Sequence, residues 1–155
     1  MTGAGGVRLR PGLPTDAAEI TRIVDAAYRH YVARIGRPPG PMLADQAAVL
    51  ERREVWIAEL DGAAVGLVVL DAEPDHLLLD NVAVDPAFQG RGIGRLLLEH
   101  AERRAAELGL PEIRLFTHET MTENQAIYAA RGFVETHRRT DHGFRRVFMT
   151  KPLSG

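Results

Sequence analysis

Cysteine is absent from the 155-residue sequence, and Lys151 is its only lysine beside eighteen arginines. Without thiols, the chain has no disulfide bond, no cysteine nucleophile and no cysteine-ligated zinc site. No apolar run reaches the roughly 20 residues of a membrane-spanning helix, and no basic segment followed by an apolar stretch opens the chain. We therefore expect a cytoplasmic protein that holds no metal.

An excess of positive charge is also lacking, because 19 basic and 21 acidic residues leave a formal net charge of −2. Proteins that bind nucleic acid or anionic membranes usually carry a basic excess, so we expect neither kind of partner. The hydrophobic content of 45% is typical of one globular domain. We predict that domain over residues 1–155, with residues 1–6 as a flexible lead-in.

Hydrophobic periodicity predicts an alternation of strands and helices. Asp16 and Glu19 are typical of a capping box at the start of a helix whose apolar positions extend to Tyr31. Prolines and glycines at 36–41 stop this helix, and we predict no regular element there. Asp61-Gly62 suits the positive φ angles of a tight hairpin turn. The predicted strands are 7–10, 55–60, 64–70, 77–84, 112–117, 133–138 and 144–149, and the further helices are 45–52, 93–108 and 122–131.

The order of these elements predicts the fold. Three consecutive strands between residues 55 and 84 form an antiparallel meander, because short turns join them. The strand, helix and strand spanning residues 77–117 form a right-handed crossover, which makes the two strands parallel. We therefore expect a mixed α/β sheet with helices on both faces.

Three alternating glycines, Gly90, Gly92 and Gly94, separate the strand 77–84 from the long helix. Glycine lets backbone amides approach a ligand closely, and a helix N-terminus presents free N–H groups and the positive end of a dipole. The turn is a candidate phosphate or pyrophosphate site, flanked by Arg91 and Arg95, and the alternative is merely a tight turn. Its spacing matches neither a dinucleotide-binding G-x-G-x-x-G motif nor a P-loop, which ends in G-K-[ST].

This stretch resembles the signature of the GNAT superfamily of acyl-CoA-dependent N-acetyltransferases. The family's loop, Q/R-x-x-G-x-G/A, is matched by the run Q-G-R-G-I-G at residues 89–94. A V-x-V strand end at 82–84 precedes it, and Tyr128 with the glycine-aromatic pair at 132–133 follows at the family's usual distance. The element order is also the family's. The resemblance therefore covers essentially the whole chain and implies a GNAT-like sheet whose parallel strands splay apart.

The resemblance implies acetyl-CoA as co-substrate. In the family, the loop amides bind the pyrophosphate and the pantetheine arm pairs with the V-x-V strand like an added strand. Many members place an asparagine seven residues before the tyrosine, where this chain has Met121, while Asn124 lies one helical turn before Tyr128. The implied coenzyme A residues are Val82, Ala83, Val84, Gln89, Gly90, Arg91, Gly92, Ile93, Gly94, Arg95, Asn124 and Tyr128.

The resemblance further implies transfer of the acetyl group to a primary amine by direct attack in a ternary complex. The reaction needs a neutral amine, stabilisation of the oxyanion and a proton for the departing thiolate. A phenol of pKa about 10 suits the last role, and the resemblance places Tyr128 beside the sulfur, with a packed aromatic side chain as the alternative. A backbone N–H of residues 82–84 is expected to meet the oxyanion. The alternatives to an enzyme are a non-catalytic acyl-CoA-binding or sensing domain and a nucleotide-phosphate-binding module.

The general base has three candidates. By strand alternation, Asp80 shares a face with Val82 whereas Asn81 points away, and the family often places an acidic base on or near this strand. His118 and Glu119 follow the next strand at its carboxyl end, where ligands bind in open α/β sheets. Each candidate has the alternative role of an ordinary strand or surface residue.

Acceptor specificity is expected from the segment after the first helix and from the C-terminal hairpin. Arg34 and Arg37, three residues apart, are candidates for a rim that binds a carboxylate-bearing amine such as an amino acid or peptide, with a solvated face as the alternative. The pairs Arg138-Arg139 and Arg145-Arg146 flank the final turn, where acceptor, a second subunit and water are equally open as partners. The candidate acceptor-binding residues are Tyr28, Tyr31, Arg34, Arg37, Asp80 and Asn81.

The acceptor itself stays open among a small amine, an aminoglycoside-like drug, an amino acid and a peptide or protein N-terminus. The family's frequent dimers favour a homodimer.

Overall fold

Strands and helices follow one another much as predicted in the computed structural model, which describes residues 2–3 and 6–153. The strands are β1 (Thr2–Gly3), β2 (Val7–Pro11), β3 (Glu54–Leu60), β4 (Ala63–Ala72), β5 (Leu77–Val84), β6 (Glu112–His118), β7 (Val134–Asp141) and β8 (Phe144–Pro152). The helices are α1 (Ala17–Tyr28), α2 (Tyr31–Ile35), α3 (Gly40–Leu43), α4 (Gln46–Arg52), α5 (Ile93–Glu107) and α6 (Thr122–Ala130). Short 3-10 turns occupy Pro14–Asp16 and Pro86–Phe88.

The described strands form one eight-stranded sheet in the order β1-β2-β3-β4-β5-β6-β8-β7. Strands β3, β4 and β5 form an antiparallel meander, whereas β5 and β6 are parallel because α5 carries the chain back between them. This confirms the predicted mixed sheet. Of the predicted flexible lead-in, Met1, Ala4 and Gly5 lie outside the described residues, and Thr2–Gly3 pairs with β2.

Helices cover both faces of the sheet, as predicted. On one face, α5 contributes Leu97 to a core that includes Val68 and Leu70 of β4. On the other face, α1 contributes Ile23 to a core that includes Leu67 of the same strand. Neighbouring residues of β4 thus enter opposite cores, as a strand buried on both faces requires.

The parallel strands separate soon after they meet. Leu77 pairs with Ile113 and Leu78 with Arg114, and among the described residues no later position of β5 is in register with β6. Strand β6 instead pairs with β8 along its whole length. A gap therefore opens between the carboxyl-terminal halves of β5 and β6, which confirms the predicted splayed pair. In open α/β sheets, ligands bind at this end of the strands.

A β-bulge interrupts β5 beside the gap. The adjacent residues Val69 and Leu70 of β4 pair with Asn81 and Leu79, which leaves Asp80 as an extra residue on β5. Such a bulge bends the strand and shifts the alternation of its side chains by one position. The residues on either side of Asp80 therefore do not follow the simple alternation that the sequence suggests.

The predicted capping box at the first helix is wrong. Asp16 makes no side-chain cap on α1. Its carboxylate instead accepts hydrogen bonds from the backbone N–H of Leu13 at 2.7 Å and from two nitrogens of the Arg10 guanidinium at 2.8 Å. The Arg10 hydrogen bonds outweigh burial and lower the pKa of Asp16. These contacts tie the end of β2 to the start of α1.

The helical region that follows is more divided than predicted. A turn at Arg29 and His30 separates α1 from α2, and the short helix α3 forms where no regular element was expected. Pro41 is compatible with α3 because it lies in the first helical turn, where its missing N–H has no intrahelical partner. In the part of the chain that the structure describes, no helix combines the length and apolar character needed to cross a membrane.

Candidate active site

The turn between β5 and α5 contains two glycines in the left-handed region. Gly90 has a φ of +82° and Gly92, the N-cap of α5, a φ of +80°. A side chain at such a position costs about 1–2 kcal/mol, which explains the glycines. Asp85 stabilises the start of the turn, since its carboxylate accepts a hydrogen bond from the Ala87 N–H at 3.0 Å and pairs with Arg22 at 2.9 Å. The N–H groups in the first helical turn of α5 have no intrahelical acceptors, and they lie beside the glycine turn.

A cavity of about 650 Å³, which we call the loop cavity, lies beside this turn, the end of β5 and α6. Arg91 does not line it, and its guanidinium carbon lies 5.2 Å from the centre of the Phe88 ring. Arg95 lines it with a largely exposed side chain, whose Nε lies 3.5 Å from the Glu99 carboxylate. The other implied coenzyme A residues on its wall are Val82, Ala83, Val84, Gln89, Gly90, Gly92, Ile93, Gly94, Asn124 and Tyr128.

A second cavity of about 270 Å³, which we call the hairpin cavity, is lined by residues of both splayed strands. The bulge of β5, the end of β6 and the start of β8 supply one part of its lining. The segment from Ile35 to Val49 supplies another part, including Pro39, Gly40 and Pro41. The segment after the first helix and the C-terminal hairpin, from which acceptor specificity is expected, therefore both line this cavity.

The bulge interrupts the alternation between Asp80 and Asn81, so the prediction that they point to opposite faces is wrong. Both line the hairpin cavity. Leu79 and Val82, three residues apart and on either side of the pair, contact the same core, which unbroken alternation would forbid. The extra residue of the bulge accounts for this, because it turns the strand by one position.

Asp80 is a half-buried carboxyl at the hairpin cavity. Burial raises its pKa, Asp71 raises it further, and Arg53 and Arg146 act in the opposite direction. A carboxyl group with a raised pKa is a stronger base when ionised, which suits the acceptance of a proton near neutral pH. Asp80 is therefore the candidate base with both the location and the electrostatics for the role.

The two cavities meet at a common wall of four residues, which are Tyr28, Val82, Asn124 and Tyr128. The Tyr28 hydroxyl donates to Oδ1 of Asn81 at 2.8 Å and also lies within donating distance of the Val82 carbonyl oxygen, at 3.1 Å. Asn124 lines both cavities, although Met121 occupies the position where many family members have asparagine. The two cavities are thus neighbours, and these four residues border both of them.

Tyr128 is buried in the common wall, with 7% of its surface exposed. Its ring packs on Phe133, with centroids 5.8 Å apart, and its hydroxyl makes no hydrogen bond with any residue that the structure describes. Burial, reinforced by Tyr31, raises its pKa well above the ordinary value. The phenol is therefore fully protonated at neutral pH and has a proton to donate.

The two other candidate bases, His118 and Glu119, differ in their positions and in their partners. His118 lines the hairpin cavity, and burial lowers its pKa. Its Nδ1 lies 3.2 Å from the Thr120 N–H, which can only donate, so Nδ1 is an acceptor and the neutral ring carries its proton on Nε2. Glu119 does not line either cavity and pairs with Arg145 at 3.1 Å. Neither therefore presents a free proton acceptor to the hairpin cavity as Asp80 does.

The arginines predicted to bind an acceptor carboxylate are engaged elsewhere. Arg34 donates to both carboxylate oxygens of Glu123, at 2.6 and 2.8 Å, and thereby joins α2 to α6. Arg37 donates to the His142 carbonyl oxygen at 2.5 Å and lies 3.6 Å from the centre of the Phe144 ring. Neither lines either of the two cavities. Of the two tyrosines predicted to bind the acceptor, Tyr28 lies in the common wall and so lines the hairpin cavity, whereas Tyr31 is buried at the loop cavity.

Sequence reasoning left Phe144 and Arg146 of β8 unassigned, and both line the hairpin cavity together with Phe116. The only sequence signal for these residues was the pair Arg145-Arg146 beside the final turn. Such a pair does not indicate whether an arginine faces solvent or lines a cavity. Among the described residues, no three histidine, aspartate or glutamate side chains are grouped so that they could hold a metal ion.

Several known proteins are similar to this chain in sequence or in fold. The chain is 28% identical over 141 residues to mycothiol acetyltransferase of Nocardia farcinica, which covers 80% of this chain but 44% of that protein. It is also 28% identical over 114 residues to aminoglycoside N(6')-acetyltransferase type 1 of Salmonella typhimurium, covering 66% of this chain and 79% of the relative. The structure of PaiA N-acetyltransferase from Thermoplasma acidophilum in complex with coenzyme A has a TM-score of 0.80 at 18% identity, covering 96% and 99% of the two chains.

The chain thus spans less than half of the mycothiol enzyme that it resembles. Residues 17–133, from the start of α1 to just beyond α6, match the sequence model described as the Acetyltransferase (GNAT) family. This range contains the glycine turn, both strands of the splayed pair and all four residues of the common wall. The chain therefore belongs to the GNAT family of acetyltransferases.

Proposed function

We propose that this chain moves an acetyl group from acetyl-CoA to a primary amine by direct attack within a ternary complex. The observation that supports this proposal is the pair of cavities that meet at Tyr28, Val82, Asn124 and Tyr128. A donor in the loop cavity and an acceptor in the hairpin cavity would be in contact only at this wall. Such an arrangement brings two substrates together without a covalent enzyme intermediate.

The loop cavity fits coenzyme A by its shape and by its backbone. The turn with Gly90 and Gly92 offers amide groups to a pyrophosphate at the N-terminus of α5. A Cβ at Gly90 would meet no atom within 4 Å, so the space above the turn is open. The part of β5 at 82–84 has no pairing partner on the β6 side and is available to a pantetheine arm as an added strand. Bound acetyl-CoA supplies the activated thioester.

Asp80 is the proposed base that accepts the proton of the amine, directly or through water. An alkylammonium group must lose a proton before its nitrogen can attack, and Asp80 lines the acceptor cavity with a raised pKa. The ionised carboxylate also attracts the ammonium form of the acceptor.

Tyr128 is the proposed acid on the opposite side of the reaction. Its buried, protonated hydroxyl in the common wall is available to donate to the departing thiolate sulfur. A backbone N–H of residues 82–84 is proposed to donate to the acyl oxygen as negative charge develops there. An ammonium acceptor loses two N–H protons on becoming an amide: the first passes through Asp80 to solvent before the attack, and Asp80 accepts the second as the C–S bond breaks. Tyr128 gives one proton to the thiolate and regains one from solvent, so each turnover releases one proton.

A thiol-release assay on a panel of primary amines tests the proposal. We expect amine-dependent release of free coenzyme A and, in double-reciprocal plots against both substrates, intersecting lines. Parallel lines would contradict direct attack and indicate a covalent intermediate. Tight binding of acetyl-CoA without thiol release for any amine would instead favour a non-catalytic sensing domain, and equal protection by ATP and coenzyme A a nucleotide-binding module.

The glycine turn provides a second test. Gly92→Ala is expected to raise the Kd of acetyl-CoA about 10-fold or more, because a Cβ at a φ of +80° strains the turn and moves its amides. The matched control is Gly109→Ala, at a φ of +72° just beyond the other end of α5, where an added Cβ would meet no atom within 4 Å. Both variants are expected to lose similar stability, but the control keeps its affinity for acetyl-CoA. Equal losses of affinity in calorimetry would remove the turn from the binding site.

A further inference from the structure

Arg146 of β8 lines the hairpin cavity with its guanidinium placed over two aromatic rings. Its Cζ lies 4.3 Å from the centre of the Phe116 ring and 5.8 Å from that of Phe144. The side chain is 19% exposed. Stacking on two rings orients the planar group and restricts its motion.

Arg146 forms one ion pair and no hydrogen bond within residues 2–3 and 6–153. The ion pair joins its Nη1 to Oδ2 of Asp141 at 3.5 Å, and the same Oδ2 already accepts a hydrogen bond from Nε of Arg139 at 2.7 Å. An oriented guanidinium with unused donors at a cavity is suited to bind a planar anion through two parallel hydrogen bonds.

The charged groups at the hairpin cavity limit the chemical class of ligand that it can bind. Arg146 is the one arginine or lysine in the described lining of the hairpin cavity, while Arg34 and Arg37 are held by Glu123 and by the His142 carbonyl oxygen. Asp80, at the same cavity, is the proposed partner of the amine. The cavity therefore offers one site for a cation and one for an anion.

The rest of the lining is mainly apolar. Leu79, Leu115, Met121 and Pro39 contribute to it alongside the two phenylalanines. The volume of about 270 Å³ lies just below the range of roughly 300–1,000 Å³ that is typical of small-molecule sites. Small size and apolar walls favour a compact acceptor over a large polycationic one.

We infer that the acceptor is a free amino acid with an apolar side chain, whose carboxylate binds Arg146 while its amine faces Asp80 and the common wall. This identification rests on the proposed function, since it names the substrate of that same site. It keeps the carboxylate-bearing amine that the sequence suggested but transfers carboxylate binding from Arg34 and Arg37 to a residue near the other end of the chain. A peptide N-terminus, which has no carboxylate next to its amine, would leave Arg146 without a ligand.

The test measures binding of reaction products, which requires no turnover. N-acetyl-phenylalanine, N-acetyl-leucine and N-acetyl-methionine are each compared with their uncharged primary amides by calorimetry in the presence of coenzyme A. We expect at least one acid to bind about 10- to 100-fold more tightly than its amide, the range expected for charge-assisted hydrogen bonds. Equal affinities within every pair, or no binding of any acid, would overturn the inference.

Three variants test whether Arg146 causes the tighter binding of the acid than of its amide. Arg146→Gln is expected to abolish the preference for the acid, and Arg146→Lys to retain part of it, because lysine keeps the charge but not the fork of donors. Arg138→Gln is the matched control, since Arg138 is exposed on β7, pairs with Glu135 at 2.9 Å and lines neither cavity. An unchanged preference in Arg146→Gln would assign the carboxylate to another group.

These measurements distinguish the two proposals. Acid preference without thiol release from any amine would leave the carboxylate site in place and remove the proposed function. Thiol release that is equal for amino acids and their amides, with no preference in binding, would support the proposed function and remove the carboxylate site.

Discussion

Replacing Tyr128 with phenylalanine is expected to lower kcat about 10²- to 10⁴-fold, the range for loss of a positioned acid or base. The Kd of acetyl-CoA and the melting temperature should change little, because the ring that packs on Phe133 is retained. The hydroxyl makes no hydrogen bond with the described residues, so its removal leaves no protein partner unsatisfied. Steady-state kinetics, calorimetry and thermal unfolding of the same preparation measure the three quantities.

Tyr28→Phe provides the contrasting variant. Its hydroxyl contacts Asn81 and the Val82 carbonyl oxygen, so its loss is expected to reduce the free energy of unfolding by about 1–2 kcal/mol. A Tyr128→Phe protein with wild-type kcat would remove Tyr128 as the proton donor even if acetyl transfer itself were demonstrated. Because the pKa of Tyr128 is raised, wild-type kcat should show no loss from phenol ionisation up to about pH 10.

Asp80→Asn is expected to lower kcat/KM about 10²- to 10³-fold at pH 7 and, at the same pH, to raise the melting temperature. The loss of activity follows from loss of the base. The gain in stability follows from the raised pKa of the folded carboxyl. A carboxyl that is harder to ionise when folded favours folding while it is protonated, and this contribution is lost as the pH rises through the folded pKa. The amide never has to ionise.

The pH dependence of the stability and of the kcat/KM of Asp80→Asn tests the role of Asp80 further. Its advantage in stability should be present at pH 8 and should disappear below about pH 4, where aspartate is protonated in the folded and the unfolded chain. Wild-type kcat/KM should fall on the acidic side as Asp80 takes up its proton, and the variant should lack that limb. A loss of kcat/KM in Glu119→Gln as large as in Asp80→Asn would contradict the choice between the two carboxylates.

Local signals in the sequence predicted the features that depend on a few consecutive residues. The Asp61-Gly62 turn has both residues at positive φ, +53° and +80°, as the dipeptide indicates. The spacing of Gly90 and Gly92 similarly predicted a turn that only glycine adopts without strain. The parallel strand pair followed from the helix between them, since chirality and connection length leave few alternatives.

The errors concern features that depend on distant partners. The orientation of Asp80 and Asn81 is set by register with β4, which the alternation within β5 does not contain. Arg34 is committed to Glu123, 89 residues away, and Glu119 to Arg145. Charge at the chain level does not reveal such pairings, because an arginine that lines a cavity and one that closes an ion pair have the same local sequence.

The common wall of four residues has a consequence for how acceptor choice can change. The glycine turn, α5 and the exposed edge of β5 line the loop cavity, whereas the segment from Ile35 to Val49 and the start of β8 line the hairpin cavity. If the proposed function holds, substitutions at Pro39, Phe144 or Arg146 would change the accepted amine while the residues proposed to bind acetyl-CoA stay intact. This modular division gives one scaffold a route to new substrates through a few exchanges, and it makes the hairpin cavity the place to engineer.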